Sequence, residues 1–228
     1  MYLRFAAKCA GLVLKSHKRT HYGQFGEDVV VTAFFKDRKN GFFVDVGAHH
    51  PRALSNTYAL YRKGWRGVNI DLHRYNIALF NIDRPADVNV CAAISSEERD
   101  VALFEFAPIS VFNTLSREDA DAVKRKKGLA YSVRTVPTRT LDSVLAEQGY
   151  SGQLIDFLSV DVEGHDLEVL RSLDFDLHKP TLVCVELHEP DIQKVTDNPL
   201  YRFLTGKGYR LIAWPKPSLI FARDAAAT

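Results

Sequence analysis

FFVDVGAHHP, residues 42–51, is the stretch whose reading decides the fold. Phe42 to Val46 form a short apolar run broken only by Asp45, the pattern of a strand covered on both faces. Gly47 then opens a tight loop. A dinucleotide-binding loop needs further glycines at this point, so that its backbone can cradle a pyrophosphate. This chain has Ala48, His49, His50 and Pro51 instead. One glycine suffices where the ligand has no pyrophosphate, because the missing Cβ still lets the backbone approach closely.

On either side of this loop, strand and helix signals alternate. Strands are expected at 67–71, 88–94, 101–106, 156–162 and 181–187, and helices at 25–35, 56–63, 75–83, 141–148, 166–173 and 200–207. That alternation predicts a doubly wound α/β domain over residues 22–228. The stretch YRLIAWPKPSLIFAR (209–223) holds two strand-like runs joined by Pro-Lys-Pro, with no room for a crossover helix, so these two strands are antiparallel. A dinucleotide-binding dehydrogenase keeps its last strands parallel. Residues 108–137 are the least regular and read as an excursion near the site. Within them KRKK (124–127) reads as a solvated loop or helix face.

The chain has 228 residues, 46% hydrophobic and 25% charged, with a formal net charge of +2. These values describe an ordinary soluble domain and give no clustered basic face for nucleic acid. Cys9, Cys91 and Cys184 are widely spaced, which speaks against a disulfide framework or a thiolate zinc site and for a reducing, cytoplasmic setting. Residues 1–21 form a basic amphipathic segment too short and too charged to span a bilayer. It reads either as a helix packed on the domain or as a peripheral membrane contact through Leu3, Phe5, Leu12 and Leu14. Nothing in the sequence fixes the oligomeric state.

In an open α/β sheet, ligands bind beyond the carboxyl ends of the strands. Those positions are strongly polar here: Asp45, Gly47, His49 and His50 after the first strand, Asp71 and His73 after the second, Asp161, Glu163 and His165 after DFLSVDV, and Glu186, His188 and Glu189 after TLVCVEL. Five of the eight histidines fall on this rim. Asp71 is placed to accept both hydroxyls of a ribose. Ala48, Leu72, Ala92 and Ala93 flank these positions and complete the expected cofactor contacts.

GQFGED (23–28), FFVDVGAHHP (42–51), SNTYALYRKGWRGVNID (55–71), LFNIDRPADVNV (79–90), PTRTLDSVL (137–145) and IDFLSVDVEGHDLEVLRSL (155–173) together resemble the FkbM-type class I S-adenosylmethionine-dependent methyltransferases. The resemblance implies a Rossmann-like, mostly parallel seven-stranded sheet with a C-terminal antiparallel hairpin. It also implies S-adenosylmethionine as cofactor and methyl transfer to oxygen or, less often, nitrogen. Sugars of antibiotics, glycolipids and surface polysaccharides are among the family's acceptors. Pro51 departs from the glycine that many members carry and lacks an N–H, so the methionine end of the cofactor must be held elsewhere. Gln24, Ser55 and Asn56 are the candidates.

Methyl transfer to a hydroxyl requires alignment of acceptor and methyl carbon, and a destination for the acceptor's proton. His188, His165 and Glu163 are the candidate bases. Alternatively Asp161, Glu186 and His188 hold a divalent cation such as Mg2+ or Mn2+. A small-molecule or glycan acceptor is the expected partner. Two rival readings remain: a non-catalytic cofactor- or glycan-binding domain, and an NAD-dependent oxidoreductase.

Overall fold

The computed structural model describes residues 21–107, 110, 112–189 and 191–224. Apart from His21, the amphipathic segment expected at 1–21 lies outside the described residues. No helix among the described residues is long and apolar enough to cross a membrane.

The main sheet uses β1 (Phe42–Val46), β2 (Arg66–Asp71), β3 (Val88–Cys91), β7 (Phe157–Val160), β8 (Leu182–Glu186), β9 (Tyr209–Ala213) and β10 (Ser218–Arg223). Its order is β3-β2-β1-β7-β8-β10-β9. The first five strands are parallel, and β10 pairs antiparallel with both β8 and β9. The doubly wound sheet with its C-terminal hairpin is thus as the sequence predicts. The strand order reverses between β1 and β7, which puts the crevice at the ends of β1, β2, β7 and β8.

Helices α1 (Glu27–Phe35), α2 (Tyr58–Arg62), α3 (Arg74–Asp83), α4 (Arg117–Lys127), α5 (Leu141–Glu147), α6 (Asp166–Arg171), α7 (Phe175–His178) and α8 (Pro199–Gly206) accompany the strands. Alternate strand residues feed two cores. Val44, Val68, Leu158, Val183 and Phe221 pack with Leu141, Val144, Val169, Leu170 and Leu204 on one face. Phe43, Phe157, Leu182, Cys184 and Ile220 pack with Val31, Phe35, Leu60 and Trp65 on the other. Each fully buried large side chain contributes roughly 1.5–3 kcal/mol.

Three expectations change. The strand expected at 88–94 breaks at Ala92, whose N–H donates to Asp71 O, and its second half, β4 (Ala93–Ile94), joins another sheet. The strand expected at 101–106 becomes β5 (Asp100–Glu105), which pairs with β6 (Ser132–Arg139) in that same three-stranded sheet, ordered β4-β6-β5. The excursion at 108–137 contains α4 and the start of β6. Helix α4 is capped by Ser116 Oγ, which accepts from Asp119 N, and it ends at Gly128 in the left-handed conformation. KRKK therefore occupies the last turn of a helix.

Candidate active site

The strand ends converge on a cavity of about 590 Å3. The first two strands and β3 bring Gly47, His49, Asp71, Leu72, Ala92 and Ala93 to it; β7 and β8 bring Asp161, Glu163, Glu186 and His188; and the segments before α1 and α2 bring Gln24 and Asn56. Twelve of the residues expected from sequence therefore share one cavity.

Asp71 is almost fully committed within the protein. Its Oδ2 accepts from His49 N (2.9 Å) and Asn76 Nδ2 (3.1 Å), and its Oδ1 from His73 N (2.6 Å). A carboxylate offers about four lone-pair sites, so one remains toward the cavity, not the two expected for a pair of hydroxyls. The loop after β1 is committed as well. Gly47 N and Ala48 N donate to Ile70 O, and His50 N donates to Ala48 O. With His49 N on Asp71 and no N–H on Pro51, residues 47–51 have no spare amide.

Gly47 itself has a reason other than the one the sequence suggested. Its φ is 81°, and a Cβ would stand 1.7 Å from the Asp161 carbonyl oxygen. The close approach it permits is to the end of β7 rather than to a ligand.

Four expected residues lie outside the cavity lining. Asp45 is buried, and its Oδ2 accepts from Thr57 Oγ1 (2.7 Å), which in turn accepts from Arg84 Nη1 (3.0 Å). Burial raises the Asp45 carboxyl above its ordinary range, opposed by Thr57. Ser55 is buried and receives the Tyr58 amide (3.1 Å) at the head of α2. Ala48 is buried in the turn. His165 precedes α6, and its Nε2 lies 2.9 Å from Ser95 Oγ; burial lowers its pKa.

The other end of the cavity is a cluster of carboxyls and one imidazole. Burial holds Asp161 well above the ordinary carboxylate range, and its neighbour Glu186, to which it is hydrogen-bonded, pushes it further. Burial lifts Glu163 to about 8. The Glu186 carboxylate beside His188 raises that ring to about 9, so in this arrangement it is charged at neutral pH and cannot serve as the base expected of it. Asp166, lifted by burial to about 7, accepts from Val162 N and Gly164 N and ties the turn together.

That turn is strained. Glu163 has φ 55° and Gly164 φ 92°, and a left-handed residue with a Cβ costs about 1–2 kcal/mol. The strain is held by Thr114 Oγ1, which donates to Glu163 O (2.7 Å), and by Asp119 of α4, which occupies the space a Gly164 Cβ would need. Asn113 meanwhile donates to His73 Nε2 (2.9 Å). The excursion is thereby anchored to both ends of the cavity.

One donor atom each from Glu163, Glu186 and His188 lies within 4.8 Å of the others. The metal set read from sequence had Asp161 in place of Glu163. Asp161 directly follows β7 and lines the cavity beside Glu186, but the three donor atoms that come together are those of Glu163, which the left-handed turn carries into the cavity, Glu186 and His188.

Glu27, Asn76, Lys216 and Ser218 also line the cavity and were not singled out from sequence. Glu27 stands in the first turn of α1, where an acidic side chain suits the helix dipole, and it is buried, accepting from Phe25 N at Oε2 and from Ser218 Oγ at Oε1. The Lys216 Nζ stands 5.3 Å from the Trp214 ring centroid.

A comparison with curated proteins returns no match. The profile of the methyltransferase FkbM domain matches residues 45–211, from the end of β1 into β9. With most of the chain and all four site-bearing strand ends inside that match, the chain belongs to the FkbM methyltransferase family.

Proposed function

We propose that this methyltransferase uses S-adenosylmethionine to methylate a sugar hydroxyl, on a glycan, a glycolipid or a glycosylated small molecule. The observation that carries the cofactor reading is the state of the loop after β1. Its amides are spent on Ile70, Ala48 and Asp71, so it cannot cradle a pyrophosphate, which speaks against NAD. A ligand with a ribose and no phosphate fits the remaining offer: one open acceptor position on Asp71, with the small side chains of Ala92 and Ala93 beside it. Gln24 and Asn56 are the polar groups in reach of the far end of such a ligand.

When bound, the cofactor supplies a sulfonium methyl that passes to an acceptor oxygen as the C–S bond breaks and its electron pair stays on sulfur. The protein's part is to hold the acceptor and remove its proton. Phe112, Asn113, Thr114 and Ser110 line the cavity from the excursion, and an apolar ring beside several hydrogen-bonding groups suits the two kinds of surface of a sugar. The acceptor's proton passes to a carboxyl at the ends of β7 and β8 in its ionised form; Glu163, lifted to about 8 by burial, takes that form as pH rises through this value. Glu163 lines the cavity as a candidate base and His188 lines it as a cation beside Glu186, whereas the ring of His165 meets Ser95.

Calorimetry tests the cofactor half: S-adenosylhomocysteine binds one to one and NAD does not, and the reverse result refutes the proposal. Transfer of labelled methyl to an oligosaccharide panel tests the acceptor half. A sugar ether survives mild alkali, whereas label released as methanol identifies an esterified carboxylate and excludes the hydroxyl.

A further inference from the structure

We propose that Glu163, Glu186 and His188 form a binding site for a divalent cation, with Mn2+ preferred to Mg2+. The inference deepens the function proposed above, and rests on it only for what the ion does. The three residues come from the ends of two neighbouring parallel strands, and one donor atom from each lies within 4.8 Å of the others. Donors held at about 2.0–2.2 Å from one ion stand roughly 3 to 4.4 Å apart. Small side-chain adjustments therefore close the site.

A second observation points independently to a ligand. The Glu186 side chain is only 7% exposed and lines the cavity, yet its Oε2 has no hydrogen-bond partner among the described residues. A buried carboxylate oxygen without a hydrogen bond needs a cation beside it. His188 Nε2 stands 3.2 Å away as its ion-pair partner, and a bound metal ion would take the place of the imidazolium proton. That separation is the one expected of adjacent donors around a single ion.

The site is also open. The His188 side chain is 61% exposed, and the cavity beside it leaves coordination positions for water or an acceptor hydroxyl, as a catalytic rather than a structural ion needs. Two carboxylates with one imidazole suit a cation that accepts both hard oxygen and nitrogen ligands, hence Mn2+ over Mg2+. Asp161 neighbours Glu186 in the cavity lining and acts as a positioning residue. At this place a cation lowers the pKa of a hydroxyl and fixes its direction.

The test uses the full chain, stripped with a chelator and free of cofactor, titrated with MnCl2 while free Mn2+ is read by electron paramagnetic resonance. One saturable site is expected, with Mg2+ competing more weakly. E186Q and E163Q each weaken binding by more than the roughly tenfold that losing even a supporting group costs a metal site. D71N, at the opposite end of the same cavity, leaves Mn2+ binding unchanged. Circular dichroism establishes that each variant is folded, and either glutamate variant alone suffices. No saturable binding up to about 1 mM, or Mn2+ affinity that both glutamine variants leave intact, overturns the site. Binding of S-adenosylhomocysteine in the same metal-free samples keeps that result separate from any failure of the methyl-transfer reading.

Discussion

Gly47→Ala asks whether the turn after β1 is dictated by the neighbouring strand or by a ligand. At φ 81° the added Cβ costs about 1–2 kcal/mol, of which about 0.4–1 kcal/mol is offset by the stiffer unfolded chain. Its position 1.7 Å from the Asp161 carbonyl adds about 1–3 kcal/mol of overpacking. The sum is a loss of about 1–4.5 kcal/mol. Gly128 supplies the control, since its φ is 67° and nothing lies within 4 Å of its Cβ position. Gly128→Ala carries only the first two effects, about 0–1.6 kcal/mol. Urea denaturation of both variants, without ligand, isolates the contact with Asp161 as the difference. Equal destabilisation refutes the contact. A folded Gly47→Ala that loses only S-adenosylhomocysteine affinity restores the ligand explanation.

Asp71→Asn raises the dissociation constant for S-adenosylhomocysteine about 10- to 150-fold, the worth of one hydrogen bond to a charged group; calorimetry showing unchanged affinity removes Asp71 from the ribose. With a single open acceptor position, only one of the 2′-deoxy and 3′-deoxy analogues binds the wild type as poorly, and equal losses for both refute the count. Arg84→Ala costs about 3–5 kcal/mol in urea denaturation, because Asp87 and Thr57 lose a fully buried partner; a loss below about 1 kcal/mol would mean that the pair behaves like a surface one. Since burial raises the Asp45 carboxyl, the folded state holds its proton more tightly than the unfolded chain does. Its contribution to stability is thus present at low pH and falls as pH rises through the folded value. Asp45→Asn flattens that part of the stability curve, and an unaltered slope refutes the assignment.

The seven strands of the main sheet were legible because each is an apolar run of strand length bounded by turn residues. What such a run cannot reveal is which sheet it joins. Residues 93–94 and 100–105 went to the smaller sheet, the first through a break at Ala92 and both by pairing with β6, whose residues lie 27 to 45 positions further along the chain. Helix α4 did carry signals: Ser116 before Glu118 and Asp119, a basic last turn, and Gly128 after it. Its almost wholly polar composition concealed them. In the site, strand-end acids were legible as a group, but their individual directions were not. Asp45 faces inward to Thr57 and Arg84, and Glu163 reaches the cavity through a left-handed turn that an L-residue seldom adopts. Both depend on contacts with distant segments, to which local periodicity is blind.

Strand β10 comes last among the described elements, yet it lies inside the sheet, between β8 and β9, with Ser218 opposite Glu186. A growing chain can therefore pair β3, β2, β1, β7 and β8 as it leaves the ribosome, while the outer side of β8 stays bare until residues 218–223 have emerged. A bare edge is a template for strands of other chains. Products of premature termination before Ser218 are accordingly expected in the insoluble fraction, cleared by the cell's quality control, rather than as compact, inactive protein.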